Sequence, residues 1–344
     1  MTRKLLQLPR LKPADESIFL NRRRFIKQAL VAGAGTCMIP IAGLSYPQKL
    51  LNKGPLVVPF ERPAVFPAKR NSRFAPQGLN LTDRLVAATH NNFYEFLPNH
   101  GGPVWKFTDM FQVEPWKVEV SGECHKPRTF DLDDLFNFEH EERVYRFRCV
   151  ETWAMNIPWT GFPLHRLLTA VEPTTKARHV RFITAYKPKE MPGMAQRHYP
   201  WPYYEALRLD EAMNELALVV TGVYGKPLLK QHGSPVRIIT PWKYGYKSPK
   251  SIVKIELVRK QPETFWAIEQ YQHEYGYLSN VNPNIPHPRW SQQWDYMLAA
   301  NVAPRRGPRR PTEIFNGYGK LVAQLYPDEP TQPQRPLRRG QTAR

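Results

Sequence analysis

The clearest pattern along the chain is the alternation of apolar and polar positions in short runs. Residues 116–121, 143–149, 179–184 and 251–258 alternate with a period of two, which predicts half-buried strands. Residues 215–221 and 236–240 are short apolar runs and read as buried strands. Helical spacing is rarer. It predicts short helices over 81–90, with Thr82 and Asp83 near the start, over 129–136, with Asp133 or Asp134 in the first turn, and over 162–171. Residues 190–205 read as a loop rich in Pro, Met and aromatic side chains. The elements follow no regular strand–helix–strand order, so the class is α+β rather than a doubly wound sheet.

The 35 prolines agree with a body of loops and sheets rather than long helices. Four segments follow: 1–44, an N-terminal leader; 45–80, an extended Pro-rich arm; 81–326, the catalytic body; and 327–344, a Pro/Arg/Gln-rich tail expected to be disordered. In the leader, Arg22, Arg23 and Arg24 precede Phe25, Ile26 and Lys27, and a weakly apolar stretch rich in Ala and Gly runs from Ala29 to about Leu44. That arrangement resembles a twin-arginine export signal. It implies a protein exported already folded to the bacterial periplasm. An uncleaved membrane anchor is the other reading.

The formal charge of +19 invites a nucleic-acid reading. Its distribution argues against one. Residues 1–44 and 304–344 each hold a net +6, so the body keeps only +7. No basic helix or binding motif appears, and no nucleic-acid partner is expected. A moderately basic body suits an anionic cofactor.

Three cysteines are present, and Cys37 lies in the leader. Cys149 ends a predicted strand, where scaffolds commonly present chemistry. Arg146 and Arg148 beside it would favour a thiolate, the form that ligates soft metals. A disulfide between Cys124 and Cys149 is the competing possibility.

The segment Arg148-Cys149-Val150-Glu151-Thr152-Trp153 and its continuation through Leu164 resembles the metal-binding region of the bacterial methionine-sulfoxide reductase catalytic subunits. The resemblance extends through Asn91 to Phe96, Tyr199 to Tyr203, Gly222 to Pro227, Pro241 to Lys247, Ser279 to Pro283 and His287 to Ser291. It covers about residues 50–320. It implies a sulfite-oxidase-like molybdopterin-binding domain, with many short strands in mixed sheets and a few helices. It further implies a molybdenum–molybdopterin cofactor with Cys149 as the metal's protein ligand. Asn91, Tyr94, Glu95 and Thr184 would hold the pterin side, and His232, Arg237, Ser248, Pro249 and Lys250 the phosphate end. Two positions depart from the pattern: His232 stands where relatives usually have Asn, and Pro249 lies in the phosphate-binding turn.

The activity implied is reduction of methionine sulfoxide, free and in oxidised periplasmic proteins. Electrons would come from a membrane haem-containing subunit. Glu151 and Tyr244 are candidates for delivering protons. A sulfite-oxidising or other sulfoxide-reducing enzyme of the same fold is the alternative. Sulfite is a dianion, however, and Glu151 would repel it.

Overall fold

The computed structural model describes residues 54–74, 78–98, 102–268 and 270–343. The export signal expected at 1–44 lies outside these. Two mixed sheets form the body. The first has five strands in the order β2-β1-β10-β5-β6, with β1 (Lys117–Gly122), β2 (Arg128–Asp131), β5 (His179–Thr184), β6 (Tyr204–Arg208) and β10 (Ile252–Val258). Only the β1/β10 pair in it is parallel.

The second sheet has seven strands. Its path runs β12-β11-β4-β7-β8, and β3 and β9 pair with β4 and β7. Its members are β3 (Glu141–Arg148), β4 (Trp153–Pro163), β7 (Leu218–Val223), β8 (Lys226–Pro227), β9 (Arg237–Ile239), β11 (Trp294–Met297) and β12 (Arg309–Pro311). Helices are short: α1 (Arg84–Thr89), α2 (Leu132–Phe136), α3 (Leu164–Ala170), α4 (Leu209–Ala212) and α5 (Gly319–Val322). The architecture is the mixed α+β arrangement the pattern predicts. Among the described residues no helix is long and apolar enough to cross a membrane.

Local chemistry explains the boundaries. The Asp83 carboxylate accepts from the N–H groups of Leu85 and Val86 and starts α1. Asp131 and Asp134 form a reciprocal capping box that opens α2. The helix expected from 129 therefore starts only at Leu132, because Thr129 and Phe130 are committed to β2 beside β1. The helix expected from Phe162 likewise yields to β4, whose eleven residues are all buried. A strand covered on both faces has no alternation to read.

The N-terminal arm lies along β3. Glu142 N–H donates to Lys69 O at 2.8 Å, and Asn71 N–H donates to Glu142 O at 2.8 Å. It covers an edge that would otherwise present open backbone groups. The tail expected to be loose also makes contacts: Asn282 Nδ2 donates to Glu329 Oε1 at 2.8 Å, and Gln334 N–H donates to Asn284 O at 2.7 Å.

Candidate functional site

Strands β3 and β4 form a hairpin, and its turn carries Cys149. Thr152 closes the turn in the left-handed region at φ 78°, with its N–H on Cys149 O at 2.9 Å. Every carbonyl of the turn has a donor. Cys149 O also accepts from Arg148 Nη1, and Val150 O from Trp290 Nε1 at 2.9 Å and Gln292 Nε2 at 2.8 Å. Glu151 O accepts from Arg305 Nε at 2.9 Å and Thr152 O from Tyr296 N–H at 2.9 Å. The sulfur is thus presented from a backbone that has no slack. Two donors aim at Sγ itself, Asn92 Nδ2 at 3.5 Å and Glu151 N–H at 3.4 Å.

Both Cys124 and Cys149 are free thiols, so the disulfide alternative does not hold. The arginines also act differently from expectation. Arg148 is fully buried and pairs with Asp295 at 2.7 Å, and Arg146 pairs with Glu313. Neither lines the cavity in front of the sulfur. Burial, followed by the charge of Glu151, pushes the Cys149 thiol well above its ordinary value. A thiolate here needs a bound metal cation to offset that cost.

The cavity measures about 920 Å³ including its mouth. It brings together seven of the expected residues: Asn91, Tyr94, Glu95, Cys149, His232, Arg237 and Lys250. Thr184, Ser248 and Pro249 do not line it. Thr184 is buried with Oγ1 unpaired among the described residues, and its N–H donates to Tyr203 O at 3.0 Å. The Ser248 amide, expected to bind phosphate, instead donates to Gly245 O at 3.2 Å. Ser248 O and His232 O accept from the guanidinium of Arg237 at 3.1 and 2.9 Å. Pro249 O accepts from Ile238 N–H. These residues shape the turn behind Arg237.

Glycines permit close approaches at the site. A Cβ on Gly193 would lie 1.9 Å from Tyr94 O, so only glycine lets that loop seat against the Tyr94–Glu95 backbone. Gly233, at φ 95°, turns the chain between His232 and Arg237 and packs on the Lys250 stem.

Electrostatics divide the cavity. Arg237 is buried with no carboxylate beside it, and burial lowers it to about 9. Burial and Arg237 together lower Lys250 to about 8, with Glu95 opposing. Neither cation makes an ion pair among the described residues. Glu95 is raised to about 7 by its own burial against the pull of Lys250. Burial holds His232 down to about 4, so it is neutral at pH 7. Its Nε2 faces Ala87 O at 3.1 Å, which makes Nε2 the donor and Nδ1 an acceptor. That Nδ1 and Asn91 Oδ1 are buried polar atoms without a partner among the described residues.

Aromatic rings build the wall nearer the sulfur. Trp266 meets Tyr94 at 5.7 Å and Tyr275 at 5.2 Å between centroids, and Tyr203 and Tyr246 also line the space. Of the loop 190–205 only Tyr203 reaches the cavity; Met191 and Met194 are in the core. Tyr244 lies outside the cavity, under the Arg148 guanidinium at 5.6 Å, whereas Glu151 lines it. The lysines of the Pro241–Lys247 segment are structural pegs. Lys243 pairs with Glu211 at 2.7 Å and Lys247 with Glu205 at 2.5 Å, both fully buried.

The residues that sequence reasoning missed are the clamps: Asn92 on the sulfur, and Trp290, Gln292 and Arg305 on the turn. Asn92 and Trp290 stood in recognised segments, but without a role. None has a local signature, because each acts across a long stretch of chain.

Oxidoreductases with a molybdopterin-binding domain form the class: the family model of that description, the oxidoreductase molybdopterin binding domain, matches residues 100–266. The chain is 43% identical over 326 residues to the protein-methionine-sulfoxide reductase catalytic subunit MsrP of Xanthomonas axonopodis pv. citri, covering 94% of this chain and 96% of that one. It is 42% identical over 324 residues to the protein of the same name from Burkholderia mallei, covering 93% of each. The sulfane dehydrogenase SoxCD structure from Paracoccus pantotrophus aligns with a TM-score of 0.37 at 16% identity, over 42% of this chain and 38% of that one. This chain belongs to the family of protein-methionine-sulfoxide reductase catalytic subunits.

The residues present fit the molybdopterin of this family. Among the described residues, Arg237 has no carboxylate beside it and Lys250 only the pull of Glu95 without an ion pair, so a phosphate group would complete both. Two buried polar atoms lack partners, as a polar pterin would supply. A buried thiol lines the same cavity.

Proposed function

We propose that this chain reduces methionine sulfoxide, free and within periplasmic proteins, with Cys149 as the protein ligand to molybdenum. The observation that carries this reading is a buried thiol on a fully tied turn, facing a cavity also lined by Arg237 and Lys250, neither in an ion pair among the described residues. When bound, the molybdenum–pterin group supplies two-electron oxygen-atom transfer.

The chain's own residues do the rest. Cys149 Sγ offers the soft donor, and Asn92 Nδ2 and Glu151 N–H orient it. Arg237 and Lys250 would hold the phosphate, while Asn91 Oδ1 and His232 Nδ1 would be free to accept from the pterin. Tyr94, Trp266 and Tyr275 exclude water and offer ring faces and edges to the sulfur of a sulfoxide. The Glu151 carboxylate at the cavity wall can pass a proton toward the departing oxygen.

The pairing of Arg146 and Arg148 with carboxylates favours a neutral sulfoxide over sulfite. A dianion would find Glu151 near the sulfur, with Arg146 and Arg148 already engaged by carboxylates.

The relatives are named as catalytic subunits, so a second subunit goes with them. We assign this chain a membrane haem-containing electron donor, and a periplasmic location after twin-arginine export. The sequence at Arg22 to Lys27 supports that location.

The experiment is Cys149→Ser in a host able to make the pterin. Methionine-sulfoxide turnover is expected to fall to background, with loss of the thiolate-to-metal absorption. Retention of both in the variant would refute the ligand assignment. Side-by-side assay with sulfite and an electron acceptor tests the substrate class, and faster turnover of sulfite would overturn it.

A further inference from the structure

A second cavity, of about 1000 Å³, lies on the other side of Val150 and Tyr246, which are walls of both spaces. Its floor includes Glu274, His287 and Gln292, and the C-terminal segment from Glu329 to Ala343 roofs it. The nearby His287 ring, 3.3 Å away, and Arg289, at 2.7 Å, hold the Glu274 carboxyl down to about 2 against its burial, so its countercharge is already supplied.

The way the roof is held is informative. Asn282 Nδ2 and Asn284 Nδ2 donate to Pro330 O at 2.9 and 3.3 Å. Gln334 N–H donates to Asn284 O at 2.7 Å, and Ala343 N–H donates to Gln272 O at 2.6 Å. These four bonds use main-chain groups of the tail and would serve any extended chain, while the side chains of Glu329, on Asn280 and Asn282, and of Thr342, on Gln272, add three more. From Thr331 to Ala343 the tail has no helix or strand, and all but Leu337 and Ala343 of its side chains are exposed. It is thus held without a hydrophobic anchor of any size, and it leaves the space beneath it unfilled.

We propose that this groove binds the main chain of the oxidised protein substrate in extended form, and that the tail of this chain occupies it in competition. The proposal rests on the reading that the enzyme acts on protein-bound methionine sulfoxide. An extended polypeptide in the groove runs beside the turn that carries Cys149, so one of its side chains can reach around Tyr246 into the catalytic cavity. Free methionine sulfoxide needs only that cavity and does not displace the tail.

The test is a cofactor-loaded enzyme ended after Thr331, assayed on free methionine sulfoxide and on oxidised β-casein, an unstructured protein. With the docked tail as the dominant state, kcat/KM for casein rises about tenfold on truncation, in proportion to the fraction of open groove. The value for the free amino acid stays the same. A synthetic peptide of residues 331–343 added back suppresses casein turnover only. In the cofactor-free protein, labelled casein binds the truncated chain more tightly than the full chain.

Should the truncated chain fail to fold, Gln334→Pro removes the N–H that bonds Asn284 O and gives a smaller rise of the same kind. An unchanged or lowered casein rate in a variant with intact free-substrate turnover overturns the groove proposal. Absence of turnover of either substrate by the intact loaded enzyme overturns the reading of the reaction instead.

Discussion

Arg148 and Arg237 are both buried arginines, one behind the sulfur-bearing turn and one in the cavity wall, yet they live in opposite conditions. Arg148 has Asp295 at 2.7 Å and the carbonyl groups of Gln292 and Cys149 around its guanidinium. Arg237 has backbone carbonyls and the rings of Trp159 and Phe147, but no carboxylate. The first is a finished structural peg that holds the sulfur-bearing turn. The second is an unfinished site whose countercharge must arrive with a ligand. A buried cation is therefore read by what neutralises it rather than by its proximity to a reactive group.

Substitution separates the two most sharply. Arg148→Met leaves Asp295 buried without its partner and is expected to cost about 3–5 kcal/mol of stability, even in cofactor-free protein, as measured by denaturant unfolding. Arg310 Nε at 3.0 Å from Asp295 softens but does not cancel that loss. A loss below 1 kcal/mol would mean the peg is dispensable.

Arg237→Gln should leave cofactor-free stability unchanged or raised. Affinity for the pterin should fall on the order of 10–100-fold, the worth of a charge-assisted hydrogen bond or two. Equal destabilisation of both arginine variants would erase the contrast.

His232 refines the same comparison through pH. Its folded value of about 4 lies below its ordinary 6.5, so the neutral ring is the form that folding favours. That contribution is complete above pH 6.5 and is lost as pH falls toward 4. In cofactor-free His232→Asn the drop in stability between pH 6.5 and pH 5 should be smaller by about 2 kcal/mol. Parallel pH–stability curves for the two proteins would contradict this.

Gln292→Leu takes one donor from Val150 O, which keeps Trp290, and one acceptor from Arg148, which keeps Asp295 and Trp294 O; about 2 kcal/mol should be lost. A greater effect on kcat than on metal content would show that the turn's rigidity serves the chemistry.

Strands with one covered face were readable in the sequence. β5 alternates buried and half-buried residues along its whole length, and its expected and observed limits coincide. β4 was not readable. It is buried throughout and contains Pro158, Gly161 and Pro163, which mimic a loop followed by a helix start. β6 was hidden in an aromatic loop because its neighbours β5 and Phe265, not its own pattern, make it a strand. At the site, the cavity-lining residues came from family resemblance rather than from periodicity. The thiolate expectation for Cys149 failed because adjacency in sequence cannot show where an arginine points. The same limit hid Asn92 and Gln292, whose partners lie far along the chain.

The pairing of Trp153 and Ala154 with Tyr296 and Met297 joins the start of β4 to a strand near the end of the chain. During synthesis the ribosome releases Cys149 long before Gln292, Tyr296 and Arg305 exist to fasten its turn. A growing chain therefore has no finished turn around Cys149, and the site is complete only once the last part of the polypeptide is made. A prematurely terminated chain lacks these fasteners, so the order of synthesis itself makes presentation of the sulfur a mark of a nearly complete polypeptide.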